Sequence, residues 1–225
     1  MRFWQALKGF WGHDPGLSIV LVALVLFAFV LPPVIAPGEE HAPLLDAALT
    51  LLLLAGMAIL PVAAAVRALL MTTALAAVAV RVWPGAGAGA SAFAGLVSFG
   101  LMAVVVLFQT FRGGPVSIHR VRGAIAAYLL LGFTWAAAYA LVEALAPGSF
   151  ATARPESTHD RSWLYFSFVT LTTVGYGDIT PVHRAARSLA MLEALTGQLY
   201  PAILIARLVT LYSQEPGERG AGGGA

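Results

Sequence analysis

Long apolar runs broken by short polar segments organise this chain from end to end. The first run, 17–36, suits a membrane-spanning helix of about 20 residues and is too long for the apolar core of a secretory signal. Trp4 and Trp11 precede it, where amphipathic rings favour a membrane interface. Gly38-Glu39-Glu40-His41 makes a short acidic loop. The stretch 44–83 is apolar apart from interruptions at Pro61 and Arg67. It reads as two spans, 44–64 and 67–83, with Arg67 marking a tight turn. A single span is the other reading, because 62–83 forms a helix-length run by itself. A low-complexity loop from Gly85 to Gly89 follows, then a span over 92–111 and a basic segment, 112–122. After a span at 123–146 comes a polar loop, 149–161. The apolar helix expected at 162–172 is too short to cross a bilayer, whereas the last run, 185–212, is long enough.

Composition narrows the class. Of 225 residues, 59% are hydrophobic and 11% charged, against about 25% charged in a soluble domain. That excludes a soluble globular fold and a disordered chain. With 13 Lys+Arg against 11 Asp+Glu, a free nucleic-acid binder is excluded too. The lack of cysteine removes disulfides, thiolate metal sites and thiol nucleophiles. The expected fold is an all-α membrane protein of about six transmembrane helices, with a re-entrant helix between the last two. Arg112, Arg120 and Arg122 make 112–122 basic, while 37–43 is not. The positive-inside bias therefore places both termini and that linker in the cytoplasm. Arg81 is the exception, at the outer end of the third span, and is expected to snorkel to the interface. The organisation read this way is a cytoplasmic segment 1–16, a four-helix membrane domain 17–111, a cytoplasmic linker 112–122, a second membrane domain 123–212 and a disordered cytoplasmic tail 213–225.

The chemistry concentrates between Trp163 and Pro181, WLYFSFVTLTTVGYGDITP. Non-helical backbone at membrane depth is tolerated only where protein buries it or it lines a watery cavity. A dehydrated cation needs oxygen ligands in place of its water shell. Carbonyls of Thr173, Val174, Gly175 and Tyr176, with the Thr173 hydroxyl, can supply stacked oxygen rings if four copies face one another. Aligning successive carbonyls demands left-handed or alternating dihedrals, which Gly175 and Gly177 permit without a Cβ penalty. Val174 and Tyr176 are expected to point away from the axis and brace the loop. Asp178 is expected to accept a hydrogen bond from the base of the short helix, in the Trp163–Tyr165 region of its own or a neighbouring chain. The C-terminus of that helix offers partial negative charge to a cation.

TVGYGD after a short aromatic helix, flanked by two spans, resembles the pore domain of the potassium channels, and the resemblance covers 123–212. It implies a homotetramer in the bilayer that conducts K+ passively. K+ would bind at Thr173, Val174, Gly175 and Tyr176, with Gly177 completing the filter and Asp178, Thr172 and Trp163 supporting it. K+ is then the permeant ion, and no cofactor or nucleic-acid partner is expected. In the family, an inner-helix glycine serving as hinge falls about 22 residues after the filter glycine, and Gly197 stands there. Pro201 removes a backbone hydrogen bond and favours a kink. Close packing of small residues between helices is an equal reading of Gly197. Some potassium channels carry a glutamate behind the filter, where this chain has Val169, so Asp178 must be held by other groups. Glu193, the one acidic residue of the last span, either faces the cavity near the gate or bonds to the pore helix from behind, the second being favoured. Thr196 and Gln198 are candidates for the same bonding.

Six spans invite a voltage-sensor reading, which needs basic residues at every third position of the fourth span. The run 92–111 has none, so steep voltage gating is not expected. His13, His41, His119, His159 and His183 show no metal-ligand spacing, and His183 near the outer mouth reads as a loop residue. No nucleophile elbow, phosphate loop or zinc-enzyme motif is present, so an enzyme is not expected. A subunit of a potassium uptake transporter and a non-conducting scaffold or sensor with a vestigial filter are the competing functions. Composition points to a bacterial inner membrane.

Overall fold

The computed structural model describes residues 15–30, 54, 62–83, 85–111, 118–152 and 162–213. Trp4, Trp11, the acidic loop, most of the expected span 44–64, the start of the basic segment and the tail lie outside the described residues. Helix α1, Pro15–Val25, runs into a π-helical turn, Leu26–Val30. Then come α2 (Ala64–Val82), α3 (Ala88–Phe111), α4 (Ile118–Leu145), β1 (Phe150–Thr152), α5 (Ser162–Leu171), β2 (Ile179–Pro181) and α6 (Arg184–Ser213). Among the described residues, α2, α3, α4 and α6 are long and apolar enough to cross a bilayer, whereas α5 has only 10 residues. The fold is an all-α membrane protein.

Two boundaries differ from the expectation, both at arginines. Arg67 does not mark a turn: its N–H bonds the Ala63 carbonyl at 3.0 Å and it sits in the first turn of α2. The basic linker is shorter than 112–122, because α4 starts at Ile118 and takes in Arg120 and Arg122. Nothing in the sequence from Ile118 onward opposes a helix. Arg122 is fully buried, at 0% exposure, so it does not face solvent as a linker residue would. Arg81 also turns inward. Its guanidinium lies so close to Gly95 that a Cβ there would meet Nη2 at 2.8 Å.

Helices α3 and α4 run antiparallel along a seam of small residues. Gly89 faces Ala144, Gly95 faces Ala137, Gly100 faces Thr134 and Gly123 faces Thr110. Small residues let backbones approach closely, which is how helices gain packing energy in lipid. Helix α4 is the hub of the fold and packs against α1, α3, α5 and α6. One buried cluster joins Leu24, Phe99, Met102, Val106, Leu130 and Phe133. Gly132 of α4 is the seat of α5, since a Cβ there would lie 2.7 Å from the Phe168 ring. A second cluster, of Tyr139, Phe150, Trp163, Phe166 and Ile179, ties the short β1–β2 pair to the helices.

Candidate functional site

Helix α5 ends in a Schellman motif, and that motif launches the TVGYG segment. Val174 N–H bonds the Val169 carbonyl at 2.9 Å and Thr173 N–H bonds the Thr170 carbonyl at 2.9 Å. This is the 6→1 and 5→2 pairing that closes a helix when the next residue turns left-handed. That residue is Thr173, at φ 59°, the one non-glycine with positive φ among the described residues. Left-handed backbone at a β-branched residue costs about 1–3 kcal/mol and marks functional sites. Gly175 and Gly177 follow at φ 59° and 79°. Positive φ therefore recurs at every second residue through Thr173, Gly175 and Gly177, the kind of alternation that lining up successive carbonyls requires.

Val174 and Tyr176 between them are 52% and 71% exposed in the single chain. The Tyr176 ring stacks in parallel with Tyr165, 6.5 Å away. Tyr165 also donates its hydroxyl to the Asp178 carboxylate, whose Oδ1 accepts the Ile179 N–H at 3.1 Å. Trp163 is placed elsewhere. It packs on Phe150, 4.7 Å between rings, in the aromatic cluster. The helical phase of α5 turns Tyr165 toward Asp178 and Trp163 toward β1. Thr172 bonds back to the Phe168 carbonyl at 2.6 Å, within its own helix end.

Glu193 is fully buried, against α5. Its carboxyl accepts the Tyr139 hydroxyl from α4, while Ser167 Oγ of α5 lies 2.5 Å from Oε1. Three helices thus meet at one side chain. Thr196 does not take part, since its hydroxyl bonds the Leu192 carbonyl at 2.7 Å. Gln198 bonds not to Glu193 but to Thr173 Oγ1, donating from Nε2 at 2.9 Å. Gly197 abuts α5 itself: a Cβ there would fall 1.8 Å from the Leu171 carbonyl oxygen. Helix α6 continues through Pro201 from Arg184 to Ser213. Pro201 has no N–H, so the Gly197 carbonyl lacks its ordinary intrahelical donor. The two residues form one site, a close contact with a freed carbonyl.

The outer frame of the loop rests on residues that sequence reasoning passed over. Glu143, near the end of α4, accepts the N–H groups of Gly148 at 2.8 Å and Ser149 at 3.0 Å. The Ser149 carbonyl in turn accepts from Val182 at 2.9 Å and His183 at 3.1 Å. β2 pairs antiparallel with β1, with Ile179 opposite Thr152. His183 Nδ1 accepts the Ala185 N–H at 3.3 Å and so caps α6. Only an acidic residue near the end of a span hinted at this frame. Among the described residues, no group of three or more His, Asp or Glu is placed to hold a metal ion.

Residues 124–214 match a protein family described as ion channel, and they take in α4 from Ala124, α5, the TVGYG segment and α6. The segment is thus similar to ion channels, and it covers less than half of the chain. The protein is accordingly a multi-pass membrane protein with an ion-channel domain. Its channel domain is similar to Protein LctB of Bacillus caldotenax, at 36% identity over 86 residues, 36% of this chain and 62% of that protein. It is similar to two pore potassium channel c of rice, Oryza sativa subsp. japonica, at 37% identity over 84 residues, 37% of this chain and 17% of that protein. Protein LctB of Geobacillus stearothermophilus shares 50% identity over 46 residues, 20% of this chain and 34% of that protein. The chain spans less than two thirds of the length of each of these relatives. No solved structure matches it significantly. The channel-domain match leaves α1, α2 and α3 outside its bounds.

Proposed function

We propose that the chain is one subunit of a potassium-selective channel in which four copies bring their TVGYG segments around a common axis. The observation that carries this reading is the positive φ at Thr173, Gly175 and Gly177, alternate residues of one loop held at a helix end. Four such loops place rings of carbonyl oxygen where a cation sheds its water. The similarity to a two pore potassium channel supports the choice of ion. Exposed apolar groups support assembly: Val174 and Tyr176 on the loop, with Met191, Leu199 and Ile203 on α6, need a lipid or protein neighbour. Conduction is passive and needs no cofactor beyond the permeant ion. The proposed setting is a bacterial inner membrane, with both termini cytoplasmic.

Purified protein in liposomes should pass K+, exclude Na+ and be blocked by Ba2+. A folded tetramer without flux would sink this reading and favour a scaffold role. Gly175→Ala should let Na+ through while the tetramer persists. Its φ of 59° puts any Cβ in a region costing roughly 1–2 kcal/mol per residue, and the loop can relieve that only by turning a carbonyl away. K+ over Na+ selectivity unchanged in Gly175→Ala would count against the carbonyl-ring arrangement.

Voltage should matter little. Moving a unit charge is worth about 2.3 kcal/mol per 100 mV, and α3, Ala88–Phe111, carries no charged residue to move. Recordings between −100 and +100 mV, roughly the range over which such charges respond, should show open probability changing by less than about threefold. Steep activation would locate a sensor elsewhere.

A further inference from the structure

We infer that Gln198 is a positioning residue for the innermost cation site, acting through the Thr173 hydroxyl. The inference rests on the potassium-channel reading and assigns a role to an inner-helix residue outside the filter. Gln198 Nε2 donates to Thr173 Oγ1 at 2.9 Å, across 25 positions of sequence. Thr173 is the residue that most needs holding, since it alone among the described non-glycine residues has positive φ. A hydroxyl oxygen has two acceptor lone pairs and one rotating proton. An amide N–H on one lone pair turns the proton aside and fixes where the other lone pair points. That second lone pair is the one a cation can use. Gln198 is itself held in place, because the neighbouring Gly197 backbone lies against the Leu171 carbonyl two residues before Thr173. Gln198 and Thr173 are both exposed in the single chain, on the side that the loop leaves open. The amide therefore completes the oxygen geometry of the innermost ring without contacting the cation.

The test uses the full-length tetramer in liposomes, with Ba2+ as probe. Ba2+ is a divalent ion of about the size of K+, so a cage of carbonyl and hydroxyl oxygens holds it strongly. Gln198→Ala and Gln198→Met remove the donor, and the second keeps most of the volume. Each should raise the Ba2+ concentration for half-block about tenfold, the change expected from one lost hydrogen bond, and should shift the Rb+ to K+ flux ratio. Both variants should remain tetrameric by size-exclusion chromatography. In a Thr173→Ala background, Gln198→Ala should add less than a further twofold, because the oxygen it positions is gone. The same order should appear in the Ba2+-dependent rise of the unfolding temperature in detergent, a readout that needs no flux. Block unchanged in Gln198→Ala would overturn the inference, as would a shift that persists undiminished in the Thr173→Ala background. Wild-type protein that passes no K+ overturns the channel reading itself, and the assignment of Gln198 falls with it. Wild-type flux with unaltered block in the variants overturns Gln198 alone.

Discussion

Gly197→Ala should abolish selective flux. A methyl group at this position would sit 1.8 Å from the Leu171 carbonyl oxygen, 2.7 Å from its carbon and 3.1 Å from its Cα. All three atoms are backbone, so no rotamer change relieves the clash. Helices α5 and α6 must separate until the shortest of these contacts relaxes from 1.8 Å to at least 3.4 Å. Overpacking that side chains can absorb costs about 1–3 kcal/mol, and here a helix must move, so we expect about 3 kcal/mol or more. The displaced helix end carries Thr173, and the displaced inner helix carries Gln198, so the loop loses register as well as stability. K+ flux should fall at least tenfold, since about 1.4 kcal/mol of that loss falling on the conducting arrangement is enough for it, and the protein should unfold at lower temperature. A pure hinge behaves otherwise: alanine would strengthen α6 by up to about 1 kcal/mol and alter only open probability. Normal flux with a normal or raised unfolding temperature would therefore remove the packing role.

The second large effect is expected at Glu193, and it should depend on shape and hydrogen bonding rather than charge. Glu193→Gln keeps an oxygen for the Tyr139 hydroxyl and supplies an amide N–H to Ser167, whose own hydroxyl lies 2.8 Å from the Gly132 carbonyl. That variant should stay within about 1 kcal/mol of the native stability. Glu193→Leu has similar volume and no partners. It leaves the buried Tyr139 hydroxyl unpaired and Ser167 with only its Gly132 partner, so a loss of about 1–3 kcal/mol is expected, read by thermal unfolding in detergent. Wild-type stability in Glu193→Leu would defeat the three-helix junction. A carboxylate facing the conduction path would give the opposite pattern, with conductance altered by Glu193→Gln at constant stability.

The spans were legible because lipid imposes its demand locally. A run of about 20 apolar residues needs no tertiary partner to be recognised, and α3, α4 and α6 fall close to the expected 92–111, 123–146 and 185–212. Errors arose where charge was taken as a boundary. Arg67 and Arg122 lie inside helices, because a helix accepts a basic residue when tertiary structure encloses it. The loop's glycines announced their backbone, since positive φ at Gly175 and Gly177 follows from residue type. Thr173 did not, because its left-handed turn comes from the way α5 ends. Trp163 and Tyr165 are two residues apart on one helix, and which of them reaches Asp178 depends on how α5 is rotated against α4. Periodicity fixes relative phase, not absolute rotation. Glu143 and Gln198 act across turns and between helices, so their partners become visible only when the chain is folded.

The contact of Arg207 bears on where this channel domain can be said to begin. Arg207, on α6 beyond Pro201, donates to the Phe111 carbonyl at 2.5 Å and lies 4.9 Å from the centre of the Phe111 ring. Tyr200 meets the same ring edge-on at 6.4 Å. Phe111 is the last residue of α3, outside the matched segment 124–214. A guanidinium on a helix's last carbonyl is well suited to the partial negative charge there. The C-terminal half of the inner helix is therefore moored to a part of the chain that the family match excludes. A bend at Pro201 must either break that mooring or carry α3 along with it. Helix α3, uncharged along its whole length, thus holds the far end of the helix that follows the TVGYG loop.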